Sequence, residues 1–273
     1  MGPYDNYSSG GGLKLWPIAL FAIYGIYYYF SHRATVPLTG RSHMVGMDPR
    51  HEAALGLQSY RQILTRSDVL ESGPAVAQVR SIGQRIARVT EDPGFQWEYN
   101  VIKSPQVNAF CLPGGKVAVY TGILPVTAND SGLAIVMGHE IAHAIARHGA
   151  ERMAQEQLVQ IGQMATGVAL SEMDINKQRA VMAAMGVGSQ YGILLPFSRK
   201  HESEADYMGL IFAARACFDP EEAPKLWQRM NQSSNGRGPA QFMSTHPSHA
   251  TRIEQFEKWM PEALKIRREK CGS

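Results

Sequence analysis

The sequence predicts an α+β fold in which helices dominate and a small β-sheet is the exception. After residue 50, apolar residues recur mostly at three- and four-residue spacing, which is typical of amphipathic helices. Three short segments between residues 96 and 120 are instead rich in aromatic and β-branched residues, as strands are. A separate uncharged run lies near the N-terminus. The total of 273 residues suits one or two domains.

The uncharged run covers residues 15–30, LWPIALFAIYGIYYYF. Trp16 and the tyrosines 27–29 stand near its ends, where aromatic side chains suit the membrane interfaces. The run is slightly shorter than the ~20 residues of most spanning helices. A cleaved signal peptide is the alternative, but no small-x-small cleavage site follows the run. We therefore predict a single retained transmembrane anchor over 15–31, preceded by a flexible leader over 1–14.

The next segment, 32–50, contains Pro37, Gly40, Gly46 and Pro49 without periodicity, which indicates a linker. A folded domain is expected over 51–271. Helices are predicted over 53–65, 76–89, 133–148, 151–170, 177–185, 202–216, 220–231 and 250–268. Strands are predicted over 96–102, 109–112 and 116–120, the last two joined by Pro113-Gly114-Gly115 as a hairpin.

Composition excludes several classes of protein. Hydrophobic residues make up 44% and charged residues 19%, which is not the composition of a disordered chain. Lysine and arginine outnumber the acidic residues only by 27 to 24, so no nucleic-acid partner is expected. The three cysteines include no C-x-x-C pair, which argues against a disulfide framework, a cysteine zinc site or thioredoxin-type chemistry.

The helix predicted over 133–148 carries an H-E-x-x-H motif, which begins at His139 and ends at His143. Residues four apart lie on one face of a helix, so both imidazoles can bind one zinc ion at ~2.0–2.1 Å. Glu140 lies about 100° further round and can act as a base on a metal-activated water. A chance pattern on a surface helix is the alternative. The apolar neighbours argue against it, because burying these polar groups without a metal is costly.

A catalytic zinc usually has three protein ligands, and no histidine follows at the spacing of the longer zinc motifs. The densest group of candidates is 201–206, His-Glu-Ser-Glu-Ala-Asp. On a helix, Glu202 and Asp206 share a face and Glu204 lies opposite. A solvated acidic first turn is the alternative. His148 is about 180° round the helix from His139, so we expect it to point away from the site.

Four segments resemble the gluzincin metalloendopeptidase family of the HtpX heat-shock protease and the CAAX prenyl endopeptidase. The likeness is strongest to the mitochondrial inner-membrane OMA-type stress proteases and their bacterial relatives. It implies a zincin-like metalloprotease domain with one zinc ion per chain that acts on unfolded or exposed polypeptides. The segments are NAFCLPGGKVAVYTGIL (108–124), HEIAHAIARH (139–148), SRKHESEADYMGL (198–210) and STHPSHATRI (244–253).

The resemblance also implies roles for particular residues. Glu202 matches the third zinc ligand, and Asp206 matches a carboxylate that orients a ligand histidine. Asn108 matches a residue that holds the substrate backbone. His246 matches a histidine that faces the metal, where it could steady the oxyanion or occupy the open zinc position in a resting form. Arg252 matches an arginine that assists it.

Alternatives accompany these implied roles. His246 could be a structural residue that caps a turn before Pro247, and His249 has no match and is expected on the surface. The hairpin at 108–120 could present an edge strand to an extended substrate, or be an ordinary core hairpin. The uncharged segment 180–198 is predicted as a buried helix and loop over the active site, with a second membrane contact as the alternative.

These features predict a membrane-anchored zinc metalloendopeptidase in membrane and envelope protein quality control. A zinc-bearing chaperone or assembly factor with a latent protease site is the alternative. A third hypothesis, a non-catalytic interaction module, does not explain Glu140, since a scaffold needs no base. A homo-oligomer is left open.

The side of the membrane is predicted from two signals that disagree. Arg33, Arg41 and Arg50 follow the anchor and only Lys14 precedes it, which slightly favours a cytoplasmic domain. The resemblance implies the bacterial inner membrane facing the periplasm, or the mitochondrial inner membrane facing the intermembrane space. Because the charge difference is small, we follow the resemblance.

Overall fold

The computed structural model describes residues 13–91, 94–233, 241–246 and 251–272. It is mostly helical with a small β-sheet, so the predicted α+β class is confirmed, and each predicted helix and strand has a counterpart. The described helices are α1 (Trp16–Ser31), α2 (Pro49–Leu64), α3 (Pro74–Ala87), α4 (Leu124–Thr127), α5 (Asp130–Ile145), α6 (His148–Ala169), α7 (Ile175–Ser189), α8 (Leu195–Arg215), α9 (Glu222–Ser233), α10 (Gln241–Thr245) and α11 (Arg252–Cys271). The described strands are β1 (Arg33–Thr35), β2 (Ser42–Met44), β3 (Val69–Leu70), β4 (Glu98–Ile102), β5 (Ala109–Leu112) and β6 (Lys116–Tyr120).

The larger sheet has the strand order β3-β4-β6-β5, so β5 is an edge strand. Strands β4 and β6 are parallel, while the other neighbours are antiparallel. β5 and β6 form the hairpin that the sequence predicts. Its turn uses Gly114 and Gly115 at φ +84° and +79°, values that glycine adopts without strain. In the described part of the chain, no strand pairs with the outer edge of β5.

The chain divides into two compact units, and the second comprises residues 35–43, 47–150 and 198–273. Its central helix is α5, which packs against α3, α9 and β5. The side chain of Asn129 caps α5 by accepting a hydrogen bond from the Gly132 N–H at 2.8 Å. From 132 to 146 every residue except His143 is buried. This burial of apolar surface holds the motif helix rigidly in the core.

Helix α5 ends earlier than the sequence predicts. The prediction extends it to His148, but the last α-helical residue is Ile145 and α6 already begins at His148. Arg147 lies between the two helices with φ +55°, in the left-handed region. Its guanidinium binds the Glu52 carboxylate at 2.7 Å and the carbonyl of Met47, which fixes this turn.

The first unit comprises the described residues of 1–34, together with 44–46 and 151–197. Helix α1 coincides with the predicted anchor and packs on α6, where a Cβ at Gly162 would come within 3.0 Å of the Phe21 ring. Lys14 pairs with Glu172 at 2.8 Å. Only two residues of α1 are buried, so most of its apolar surface faces outward. The role of α1 in a membrane stays a prediction, as does the leader, of which 1–12 lie outside the described residues.

The prediction that 180–198 is a buried helix and loop over the active site is wrong. These residues continue α7 through a π-helical turn (Gln190–Leu194) into α8, and few of their described side chains are buried. Among the described residues, the stretch Ile175–Arg215 alone is both long and apolar enough to cross a membrane. None of its most apolar 18-residue window is buried. The absence of charge therefore marks exposed apolar surface rather than a core.

The predicted linker 32–50 contains the paired strands β1 and β2. Val36 is buried in the main core of the second unit. In the same segment, Arg41 and Thr39 bind the Glu204 carboxylate. The segment thus contributes side chains to the second unit.

A disulfide joins Cys217, just after α8, to Cys271 at the end of α11, with their Cα atoms 5.7 Å apart. The composition argues against a disulfide framework but does not reveal this single bridge. Cys111 is free and lies in β5. The bridge ties the last helix to the second unit, and the same helix begins with Arg252.

Replacing both bridging cysteines by serine is expected to lower the free energy of unfolding by about 4 kcal/mol. The bridge closes a loop with a sequence separation of 54, and losing it restores chain entropy to the unfolded state. Urea unfolding of the double variant measures the loss, with Cys111→Ser as the control substitution that breaks no bridge. An unfolding midpoint equal to that of the control would contradict the expectation.

Candidate metal centre

Helix α5 brings His139 and His143 together one turn apart. Their Nε2 atoms are 3.1 Å from each other, as the four-residue spacing requires for a shared ion. His139 is 2% exposed, whereas His143 is the one partly exposed residue of the buried stretch. The rigid burial of α5 therefore presents two imidazole nitrogens to one point.

Helix α8 supplies a carboxylate to the same point. Glu202 Oε2 lies 3.4 Å from His139 Nε2, and Oε1 lies 3.4 Å from His143 Nε2. The two helices approach closely at Gly138 and Gly209, where a Cβ on Gly209 would come within 2.6 Å of the His139 backbone nitrogen. The glycine pair thus lets α8 run against α5, with Glu202 two turns before the crossing.

His246, at the end of α10, completes the group. Its Nδ1 lies 3.2 Å from His139 Nε2 and 3.1 Å from Glu202 Oε1. Its ring stacks on Phe242 with centroids 4.7 Å apart. One ligating atom from each of His139, His143, Glu202 and His246 lies within 4.8 Å of the others. The structure thus brings together four of the residues that the sequence analysis named.

Five of the six donor pairs in this group have separations close to those that a tetrahedral metal ion requires, with Glu202 contributing either oxygen. The sixth pair, His143 and His246, lies within 4.8 Å. Ligands ~2.0–2.1 Å from a tetrahedral ion are separated from each other by about 3.3 Å. The donor separations given above run from 3.1 to 3.4 Å. Three imidazoles and one carboxylate are donors that zinc accepts readily.

Asp206 and Arg252 hold this group from behind. Asp206 Oδ1 lies 2.9 Å from His139 Nδ1, which leaves Nε2 of that ring toward the other donors. Arg252 Nε donates to Asp206 Oδ2 at 2.5 Å, and its Nη2 donates to Glu202 Oε2 at 2.9 Å. Arg252 is 1% exposed, and its guanidinium lies 3.8 Å over the Trp227 ring. Arg252 therefore compensates the charge of two buried carboxylates.

The charges of the group are strongly coupled. Burial alone would lower the pKa of His139, but the hydrogen bonds to Asp206 and Glu202 raise it to about 10. Burial alone would raise the pKa of Glu202, but hydrogen bonds from His139, His143 and His246 hold it far below the usual value. The pKa of His143 is lowered well below its usual value, chiefly by burial. Glu202 is thus an anion at a site where cations are favoured.

Glu140 lies beside the four donors. Its Oε1 is 3.3 Å from His246 Nε2, and no described residue donates a hydrogen bond to that oxygen. Burial raises the pKa of Glu140, while the charges of His246 and His139 and a hydrogen bond from the Cys111 backbone partly offset this. A buried carboxylate with a raised pKa, and with one oxygen that accepts no hydrogen bond from the described residues, is suited to take up a proton.

Asn108 stands at the start of the edge strand. Its side-chain oxygen accepts a hydrogen bond from the Ala109 N–H at 3.0 Å, and its carbonyl accepts one from the Tyr120 N–H. These contacts tie Asn108 to the hairpin. His249, expected on the surface, lies outside the described residues.

The prediction that His148 points away from the site is wrong. His148 Nδ1 lies 2.9 Å from Nδ1 of His143, and the residue is 4% exposed. Helical spacing puts His148 on the far side only if α5 continues to that residue, but the left-handed Arg147 redirects the chain first. The sequence carried a partial signal for this contact. His148 follows His143 by only five residues, and one imidazole can serve as a hydrogen-bond partner for another.

The chain matches one protein-family model and is similar to several known proteins. The model of peptidase family M48 matches residues 75–260. The mitochondrial metalloendopeptidase OMA1 of Schizosaccharomyces pombe is 39% identical over 255 residues, which cover 92% of this chain and 73% of that protein. The Saccharomyces cerevisiae protein of that name is 33% identical over 88% of this chain and 72% of its own length. The β-barrel assembly-enhancing protease of Escherichia coli is 25% identical over 80% of this chain and 46% of its own length.

Proposed function

This chain belongs to peptidase family M48 and is a metalloendopeptidase, and we propose that it is a membrane-anchored zinc enzyme that cuts exposed segments of membrane and envelope proteins. One observation carries the zinc proposal: four donors converge within 4.8 Å, with the Glu140 carboxylate beside them. His139, His143 and Glu202 would hold one zinc ion per chain. The alternative is a zinc-bearing chaperone or assembly factor, which would need the donors but not Glu140.

When bound, zinc supplies Lewis-acid polarisation of the scissile carbonyl and of the attacking water. Glu140 takes a proton from that water as its oxygen bonds to the carbonyl carbon. The same carboxylate then delivers the proton to the amine nitrogen as the carbon–nitrogen bond breaks. Asp206 and Arg252 hold His139 and Glu202 in place throughout. A ligand that moved would shift the metal and misplace the reacting atoms.

His246 has two successive positions in this proposal. In the described arrangement its Nδ1 lies among the donor atoms, 3.2 Å from His139 Nε2. This corresponds to a resting form in which His246 occupies the position that substrate needs. Once α10 moves aside, His246 donates a hydrogen bond to the carbonyl oxygen as that oxygen gains negative charge.

The substrate lies along β5. The outer edge of this strand has no strand partner in the described chain, and the Cys111 backbone on it reaches Glu140. An extended peptide added to this edge would place its carbonyl groups beside the catalytic carboxylate, with Asn108 holding its backbone. Recognition through main-chain hydrogen bonds tolerates many sequences, which suits unfolded substrates.

Metal removal tests the zinc proposal. The purified chain is expected to contain one zinc ion and to cleave unfolded casein. Dialysis against a chelator should abolish cleavage, and one equivalent of zinc should restore it, whereas magnesium should not, because imidazole donors favour zinc. Full activity in the chelated, zinc-free chain would overturn the proposal.

The first unit is proposed to contact the bilayer. Nineteen of the twenty large hydrophobic residues that the described structure leaves exposed lie in this unit, and only Leu55 lies in the second. Concentrated apolar surface of this kind marks a membrane or partner contact. Helix α1 is the anchor, and the exposed segment 180–198 is a second contact with lipid.

Lysine substitutions in α1 test this placement. Ile23 and Ile26 are 64% and 61% exposed, so Ile23→Lys with Ile26→Lys should leave the fold intact. Each lysine near the middle of a membrane helix costs ~2.5–3.5 kcal/mol. The doubly substituted chain is therefore expected to float with liposomes much less than the wild type, although segment 180–198 is unchanged. Leu55→Lys, at another exposed hydrophobic residue, is the control and should float, and equal flotation of all chains would contradict the proposal.

The names of the relatives support a proposal for the location. The OMA1 proteins are named as mitochondrial, and the Escherichia coli relative is a bacterial protein named for enhancing β-barrel assembly. We place the second unit in the intermembrane space or the periplasm. Protease treatment of cells or mitochondria with a permeable outer membrane and an intact inner membrane tests this placement. The second unit should be digested, whereas a protected second unit would place it in the cytoplasm or matrix.

A further inference from the structure

We propose that His148, through its contact with Glu204, is a positioning residue that holds the ligand His143. The inference rests on the metal centre of the proposed function and adds a chain of contacts behind it. The chain runs from Nδ1 of His143 to Nδ1 of His148 (2.9 Å), and from Nε2 of His148 to Oε2 of Glu204 (3.0 Å).

The direction of these hydrogen bonds follows from the geometry. Nε2 of His143 faces His139 and Glu202, so this nitrogen is the one that offers its lone pair to a metal. A neutral imidazole then carries its proton on Nδ1. That N–H donates to Nδ1 of His148, and the N–H on Nε2 of His148 donates to Glu204. The contacts thus select one tautomer of His143.

Glu204 is itself firmly held. It accepts hydrogen bonds from Arg41 Nε at 2.8 Å and from the Thr39 hydroxyl at 2.5 Å. The ring of His201 stacks on that of His148, with centroids 4.3 Å apart and planes 12° apart. The Glu204 side chain is 7% exposed. Such a buried network keeps the His148 ring in one orientation.

The arrangement mirrors the one behind the other ligand imidazole. Asp206 binds Nδ1 of His139 directly and is bound by Arg252. For His143, the corresponding carboxylate is Glu204, bound by Arg41 and reached through His148. Both carboxylates come from α8, on opposite sides of the helix. Each ligand imidazole is therefore oriented by an arginine-bound carboxylate.

The turn between α5 and α6 has other contacts that hold it. Arg147 anchors this turn through Glu52 at 2.7 Å and through the Met47 carbonyl. A role limited to the turn therefore leaves the contact with His143 unexplained.

The test measures zinc affinity in the full chain by competition with a chelator. His148→Leu removes the hydrogen-bond acceptor, and its zinc dissociation constant is expected to rise ~10–100-fold, the usual effect of losing a partner of a ligand. His148→Asn keeps an acceptor near the position of Nδ1 and should recover most of the affinity. If His148 had only a structural role, the substitutions would change the melting temperature of the zinc-free chain, but His148→Leu and His148→Asn would bind zinc with the same affinity.

A second pair of variants covers the case in which His148→Leu does not fold. Glu204→Gln keeps the shape but weakens the hydrogen bond from His148, and should raise the dissociation constant at least about threefold. Glu222→Gln is the matched control, because Glu222 is a carboxylate with 12% side-chain exposure that is bound by Arg229 and lies outside the four-donor group. It should bind zinc like the wild type.

Two outcomes would overturn the inference. Equal zinc affinity of the wild type, His148→Leu and Glu204→Gln would show that His148 does not position His143. The proposed function would then still stand. Absence of zinc from the wild-type chain would overturn the proposed function and this inference together.

Discussion

Glu140→Gln is expected to abolish peptide cleavage while leaving zinc bound. Glutamine has nearly the same shape as glutamate but cannot take a proton from water. General-base catalysis contributes ~10²–10⁴ in rate, so kcat should fall by that factor or more. The four converging donors do not include Glu140, which is why metal content should not change.

The measurement pairs a cleavage assay on unfolded casein with metal analysis of the same preparation. Glu222→Gln is again the control, since it makes the same chemical change outside the site. Retained cleavage in Glu140→Gln would exclude Glu140 as the base. Loss of zinc from the variant would show instead that Glu140 supports the metal.

Glu202→Gln is expected to empty the metal site. Glu202 is the only carboxylate among the four donors in the described chain, and its two oxygens lie 3.4 Å from the two ligand imidazoles. A neutral amide is a poor zinc ligand, so affinity should fall by more than the ~10–100-fold caused by losing an outer partner. Cleavage should be lost with the metal.

Metal analysis after dialysis at low free zinc measures this effect. Asp206→Asn is the graded comparison, because Asp206 contacts His139 from the side away from the other donors and should cost about 10–100-fold in affinity. If Glu202→Gln retained one zinc ion per chain, the third ligand would be a residue other than Glu202.

Local patterns predicted much of this fold correctly. The helix that carries the H-E-x-x-H motif and the hairpin around Gly114 and Gly115 both form, although the helix ends three residues earlier than predicted. Each depends on interactions between residues a few positions apart, which a single sequence records directly. The relation of Glu202 to the motif came instead from family resemblance, because no local rule links residues more than fifty positions apart.

The errors have a physical origin in tertiary packing. Helical spacing puts His148 on the wrong side because one left-handed residue, Arg147, ends α5 early. The glycines and polar residues of segment 180–198 favour a buried helix and loop, yet most of its described side chains are exposed. The bridge between Cys217 and Cys271 depends on where α11 ends in space.

Local sequence patterns are enough to predict the α+β class, the helix that carries two histidines and a glutamate, and the chemistry those residues can perform. Which carboxylates and imidazoles surround them depends on tertiary packing. The crossing of α5 and α8 at Gly138 and Gly209 brings Glu202, Glu204 and Asp206 to the histidines. Helical spacing acts over a few residues, whereas this convergence depends on the close packing of backbones that are distant in the chain.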